Sequence, residues 1–134
     1  FGGGDLPEDL VGGLDLGLKQ EWKSSARYAI IVADAPCHGN KYHGSMGDSY
    51  PGGDPNNLII EEVVKKYAEN NIILNAIKIN SSTDIMFDIL SKEYQSISKK
   101  SISISNLGSN TSNFGFVVAF GASTTLSSVT IGNV

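Results

Sequence analysis

The chain has 134 residues, of which 40% are hydrophobic and 18% charged, and its formal net charge is −4. This length suits one domain, and the composition is typical of a globular protein. The negative charge argues against a nucleic-acid-binding surface, because neutralising phosphates needs clustered Lys and Arg.

The cellular setting is indicated by the cysteine content and by the absence of long apolar runs. The single cysteine, Cys37, excludes an internal disulfide and favours a reducing compartment. No apolar run reaches the ~18 residues of a membrane span. We therefore expect a cytoplasmic protein that does not enter a membrane. Because the chain begins at Phe1 rather than Met, we also expect it to be a piece of a longer protein.

The first predicted elements are a helix and a strand. Asp5-Leu6-Pro7-Glu8 is typical of a helix start, with a capping acid and a proline in the first turn. We expect Asp5 to cap a helix with one apolar face, formed by Leu10, Leu14, Leu18 and Trp22. Residues 28–33 form an apolar run without alternation, which predicts a strand buried on both faces of a parallel sheet.

A long loop over residues 37–55 precedes a second helix, a second strand and a third helix. Asp54-Pro55 is expected to open the second helix, with Glu61 outside its apolar stripe. The inward residues of that stripe are Ile60, Val63, Val64 and Tyr67. Residues 72–79 predict the second strand. Ser81 to Asp84 matches a capping box. The expected inward residues of the third helix are Ile85, Met86, Ile89, Leu90 and Tyr94.

Strands that alternate with amphipathic helices predict an α/β fold with a parallel, Rossmann-like sheet flanked by helices. Two strands cannot bury both faces of such a sheet, so we expect residues 1–95 to be a partial domain. Residues 96–134 form a Ser/Asn-rich segment whose last 34 positions carry no charge. Its apolar stretch at 114–120 could add an edge strand, or it could be an aggregation-prone or partner-captured tail.

Asp34 is the most informative candidate site residue. It closes the first predicted strand at the carboxyl edge, where parallel sheets bind their ligands. A carboxylate there can hold Mg²⁺ together with oxygen ligands from neighbouring loops. The alternative is that Asp34 caps a turn. Acids outnumber bases ten to four in residues 1–62, which suits a cation or a basic partner.

Cys37, His38 and His43 form a second candidate metal site, because thiolate and imidazole are the ligands that zinc takes. A closed four-ligand site would need Asp34 or Asp48 as well. In the alternative, His38 orders the loop through hydrogen bonds and Cys37 packs as a small apolar group. A Cys37–His38 nucleophilic pair is disfavoured, because adjacent residues rarely aim at each other. His43 and Asp48 could act as acid and base, but their spacing specifies no reaction.

Four segments resemble the von Willebrand factor A-type domain found beside alpha-type protein kinases: GGGDLPEDLVGGLDLGL, IIVADAPCHGNKYH, DSYPGGDP and STDIMFDIL. The resemblance implies a Rossmann-like fold, of which residues 1–95 are the C-terminal half. A-type domains build a metal-dependent adhesion site from an Asp-x-Ser-x-Ser loop, a Thr and an Asp. By this resemblance Asp34 is the third-loop ligand, and Asp5 stands where Thr is usual. The Asp-x-Ser-x-Ser loop does not occur in this chain.

The resemblance implies a metal-dependent protein-binding module that regulates or targets a larger protein. Its cofactor would be Mg²⁺ or a similar divalent cation, and its partners would be another protein and the upstream part of the same domain. One alternative is a segment of an alpha-type Ser/Thr protein kinase, with no catalytic site in this chain. A further alternative is a structural interaction piece without metal binding, which Asp5 in place of Thr supports.

Overall fold

The computed structural model describes residues 4–106 and the backbone of residues 115–121. Seven elements follow one another in this part of the chain: α1 (Leu10–Leu18), β1 (Arg27–Ala33), α2 (Ile60–Glu69), β2 (Ile72–Lys78), α3 (Asp84–Ser98), β3 (Ser103–Asn106) and β4 (Gly115–Gly121). Two short 3-10 turns, Asn40–Tyr42 and Ser81–Thr83, precede α2 and α3. No described helix is both long and apolar enough to cross a membrane.

The strands form one sheet in the order β3-β2-β1-β4. β1, β2 and β3 are parallel, whereas β4 runs antiparallel to β1 at the edge. The predicted α/β fold with a parallel, Rossmann-like sheet is therefore confirmed. The apolar stretch predicted at 114–120 corresponds to β4, although its first residue, Phe114, lies outside the described residues. The short strand β3 is an addition to the predicted elements.

The helices cover one face of the sheet. Alternate residues of β1 and β2 are fully buried on this face, and they share one core with apolar residues of α1, α2 and α3. On the opposite face Tyr28, Ile30, Ile73 and Ile77 are only partly buried. Val32 of β1 lies on this face too and is buried. The prediction that the first strand is buried on both faces therefore holds at Val32 but not at Tyr28 and Ile30.

Helix α1 begins later than predicted, at Leu10, and its cap is Asp9 rather than Asp5. The Asp9 Oδ1 atom accepts a hydrogen bond from the Gly12 N–H at 2.9 Å. The helix cannot start earlier, because the Glu8 N–H donates to the Pro36 carbonyl at 2.9 Å and holds this segment extended. The predicted Asp5 cap is wrong. The helix also ends before Trp22, whose indole N–H donates to the Gly17 carbonyl at 3.0 Å.

We expect Asp9→Ala to lower the free energy of unfolding by about 1 kcal/mol, because it removes the acceptor that caps α1. Asp9→Asn should change it little, since an amide oxygen caps about as well as a carboxylate. Urea denaturation of both variants measures the difference. Equal losses in the two variants would contradict the capping role.

Helix α2 begins at Ile60, five residues beyond the predicted Asp54-Pro55 start. The Asp54 carboxylate instead closes a turn, because its Oδ2 accepts from the N–H groups of Asn56 (2.8 Å) and Leu58 (3.0 Å). The predicted inward residues Ile60, Val63, Val64 and Tyr67 are all buried. Glu61, which we placed outside the stripe, is buried as well.

Helix α3 follows the turn Ser81–Thr83, which Asn80 caps by accepting the Ser82 N–H at 2.9 Å. Three of its predicted inward residues, Met86, Leu90 and Tyr94, are buried, and Ile89 packs partly against the core. Ile85 is wrongly placed in that prediction, because it is 48% exposed. Phe87 is buried in addition.

Candidate functional site

The candidate site lies at the carboxyl end of β1, in the connection between Ala33 and Ile60. Asp34 follows β1 directly, and its main-chain carbonyl accepts hydrogen bonds from the Asn80 Nδ2 and Ser82 Oγ atoms, both at 2.8 Å. These bonds tie the connection after β1 to the turn after β2. The loops at this edge are therefore held together by the backbone of Asp34.

Asp48 organises the loop that follows. Its Oδ1 contacts His38 Nδ1 (2.7 Å) and accepts the Tyr50 N–H (2.8 Å). Its Oδ2 accepts the Gly39 N–H (2.7 Å) and contacts His43 Nε2 (2.8 Å). The Asp48 side chain is 0% exposed. Burial raises its pKa, but the hydrogen bonds outweigh burial and hold the pKa well below its usual range.

Asp5 approaches the same histidine from the segment before α1. Its Oδ2 accepts the Ser49 N–H at 2.6 Å and lies 3.9 Å from His38 Nδ1. The hydrogen bond from the Ser49 backbone lowers the pKa of the Asp5 carboxyl. Asp5, His38 and Asp48 therefore each offer one ligand atom, and these atoms all lie within 4.8 Å of one another. We call these three residues the Asp-His-Asp group.

The structure brings some of the predicted site residues together and leaves others apart. His43 contacts Asp48 from inside the fold, and its own Nδ1 is buried without a hydrogen-bond partner. Cys37 is only 1% exposed, and its backbone N–H contacts the Met86 sulfur, so it packs in the core. Burial raises the pKa of the Cys37 thiol, which disfavours the thiolate that zinc binds.

Asp34 does not belong to the Asp-His-Asp group. Its role as a metal ligand remains a prediction. Other acids do surround this edge: burial raises the pKa of Glu8, and the nearby Asp34 and Asp5 carboxylates raise it further. The group itself mixes carboxylate oxygen with imidazole nitrogen, whereas the sites typical of Mg²⁺ present oxygen alone.

A buried glutamate joins the loop to α2. The Glu61 side chain is 9% exposed, accepts the Tyr42 hydroxyl at 2.6 Å and pairs with the Lys41 ammonium. Burial raises the pKa of Glu61, but Lys41 and Tyr42 outweigh it and lower the pKa overall. Sequence reasoning missed this contact, because nothing in the spacing of three single residues indicates that they meet.

A cavity of about 270 Å³ lies beside the Asp-His-Asp group. His38 belongs to both, since it also lines the cavity. The polar wall includes Lys41 and Tyr42, and the apolar wall includes Val11 and Leu58. The cavity thus gives space for an external ligand next to the imidazole.

The chain is similar to alpha-protein kinase vwkA of Dictyostelium discoideum, with 43% identity over 110 residues. The aligned region covers 81% of this chain but only 17% of that protein. No protein-family model and no solved structure matches the chain. The similarity relates this chain to one region of that kinase.

Proposed function

We propose that this chain is a non-catalytic α/β segment of an alpha-type protein kinase. The 43% identity to vwkA over 110 residues carries the proposal. Because the chain spans 17% of that protein, most of the relative lies outside the similarity and has room for a separate catalytic domain. The activity of the whole protein would therefore come from sequence beyond this segment.

Within the kinase, the proposed role of the segment is to bind another protein at the carboxyl edge of its parallel strands. Ligands of parallel α/β sheets bind at this edge. The Asp48 hydrogen bonds hold the loop there in one shape, which favours binding because less ordering is needed. The acids near this edge, Asp5, Glu8 and Asp34, support the metal-dependent form of this proposal, with a divalent cation as the bridge.

A second proposed contact is the remaining part of the same domain. Both faces of parallel sheets are normally covered, yet the face that carries Ile30 and Ile73 is only partly buried in the described residues. Further helices from the same polypeptide would cover this face. The alternative is a structural piece without metal binding. It shares the contact with the rest of the domain, but it has no cation at the loop edge.

The kinase assignment is tested on the full-length protein and on a version that lacks residues 1–95. We expect both proteins to phosphorylate a general protein substrate, and we expect only the full-length protein to retain its partners in a pull-down. Transfer of phosphate by the isolated chain would contradict the non-catalytic role. Absence of kinase activity from the full-length protein would contradict the family assignment.

We expect the isolated chain to self-associate and to bind a hydrophobic dye, because one sheet face is incompletely covered. Ile30→Thr together with Ile73→Thr should lower dye binding by removing apolar surface from that face. Ile85→Thr is the matched control, since Ile85 is an exposed residue on α3. Dye fluorescence and light scattering measure the effect. A monomeric chain with one cooperative thermal transition and no dye binding would contradict the incomplete sheet.

A further inference from the structure

We propose that the Asp-His-Asp group is a binding site for a zinc-class divalent cation, coordinated by Asp5 Oδ2, His38 Nδ1 and Asp48 Oδ1. The site shares Asp5 with the Mg²⁺ site that the family resemblance implies, but it uses His38 and Asp48 in place of Asp34. Its three ligands come from three separate stretches, the segment before α1 and two parts of the loop after β1. A bound ion would therefore fasten these stretches to one another.

The first argument is the charge of the group. The side chains of Asp5 and Asp48 are 15% and 0% exposed, so both carboxylates are largely withdrawn from water. In the described part of the chain their ion-pair partners are imidazoles, and neither carboxylate pairs with Lys or Arg. Two carboxylates this close repel each other, so a positive charge beside them is favourable. A divalent cation supplies that charge.

The second argument is the chemistry of the donors. Two carboxylate oxygens with one imidazole nitrogen suit Zn²⁺, Mn²⁺ or Co²⁺, whereas Mg²⁺ and Ca²⁺ favour oxygen throughout. Three protein ligands leave one coordination position for water or an external donor. The cavity of about 270 Å³ reaches His38 and gives such a donor space. A carboxylate or imidazole of a partner protein has the chemistry to occupy it.

The third argument is that the ligands are already held in place. The Ser49 N–H fixes Asp5, and the Gly39 N–H and His43 fix the Asp48 oxygen that faces away from His38. Outer contacts of this kind orient metal ligands and tune their affinity. His43 is therefore a positioning residue rather than a ligand.

Only a small movement is needed to admit the ion. The His38 Nδ1 atom lies 2.7 Å from Asp48 Oδ1 and 3.9 Å from Asp5 Oδ2. Donors at about 2.1 Å from one ion lie roughly 3.0–3.4 Å apart, so each distance changes by several tenths of an ångström. The ion takes the place of the hydrogen between His38 and Asp48, while Asp48 keeps the two hydrogen bonds to its other oxygen.

The test is equilibrium dialysis of the full-length protein against Zn²⁺, with metal content measured by elemental analysis. We expect His38→Ala and Asp5→Asn each to lose one zinc per chain at a zinc concentration that saturates the parent, with an affinity loss of at least tenfold. The Asn side chain keeps an acceptor for the Ser49 N–H, so this variant remains informative if His38→Ala fails to fold. Millimolar Mg²⁺ should not displace the ion.

Cys37→Ser and Asp88→Asn are the controls, because Cys37 is buried and is not one of the three proposed ligands, and Asp88 is an exposed acid on α3. Both should retain the parent's zinc content. Unchanged zinc in a folded Asp5→Asn variant, or loss of zinc from Cys37→Ser, would overturn the proposal. The outcome is separate from the kinase assignment, because metal content is read without any phosphorylation assay.

Discussion

Replacing Asp48 with Ala is expected to lower the free energy of unfolding by about 3–5 kcal/mol, the range typical of losing one partner from a buried charged network. The substitution leaves four donors without their acceptor, including the N–H group of Gly39 and the ring N–H of His43, which belong to buried residues. Buried donors without partners are costly because water cannot replace the lost contact. Urea denaturation measures the effect.

Two controls show whether the loss comes from the hydrogen bonds of Asp48. Asp48→Asn keeps one acceptor oxygen and should cost less than Asp48→Ala, whereas Asp88→Ala on the exposed surface of α3 should stay within about 0.5 kcal/mol of the parent. If Asp48→Ala were no more harmful than Asp88→Ala, the loop would be ordered by other contacts.

The contribution of Asp48 should also depend on pH in a defined direction. Its pKa is lower in the folded protein than in the unfolded chain, so the unfolded chain binds the proton more readily. The stabilisation is therefore fully present above the ordinary Asp pKa of about 4 and declines as the pH falls further. We expect the stability difference between the parent and Asp48→Ala to shrink progressively below about pH 4. A difference that stays constant on acidification would contradict this account.

The regular elements were predictable because burial leaves a local pattern. The apolar runs that became β1 and β2 and the four-residue spacing in α1 and α2 are signals that neighbouring residues carry together. Helix starts were less predictable. Asp5 and Asp54 both precede a proline, yet neither carboxylate caps a helix. The Asp5 carboxylate accepts the distant Ser49 N–H, and the Asp54 carboxylate accepts the Asn56 N–H within its own turn. β3 was missed although Ile102 and Ile104 alternate with serines, since the segment is short.

The site was predictable only in part. Asp5, His38 and His43 were candidates, whereas Asp48 was named only as a possible fourth zinc ligand and as a possible acid–base partner of His43. The sequence did not indicate that Asp48 holds both histidines. The contact of Asp5 with Ser49 joins residues that are 44 positions apart, and no local pattern reports such a contact. A loop of this length draws its shape from tertiary hydrogen bonds rather than from propensity. The sequence shows which residues are able to bind a metal, whereas the distances between them depend on the fold.

Glu61 gives the second large predicted effect, because the first turn of α2 depends on it for its connection to the loop. Glu61→Ala should lower the free energy of unfolding by about 1–3 kcal/mol, because it leaves the Tyr42 hydroxyl buried without an acceptor. The pair with Lys41 adds little, since the Lys41 side chain is 64% exposed. Glu61→Gln should cost less, because the amide oxygen can still accept from Tyr42. Urea denaturation of both variants measures these losses.

A double-mutant cycle between Glu61→Ala and Tyr42→Phe separates the hydrogen bond from the packing of the helix. Removing both partners leaves no orphaned hydroxyl, so the double variant should be more stable than the sum of the two single losses predicts. A coupling of about 1–3 kcal/mol is expected, because the hydroxyl donates to a charged acceptor in a buried position. Strictly additive losses would mean that Glu61 acts through Lys41 or through helix packing alone.

The pH dependence of stability gives an independent check on Glu61. The pKa of Glu61 is lower in the folded protein than in the unfolded chain, so its stabilisation should be complete at neutral pH and decline below the ordinary Glu pKa of about 4.3.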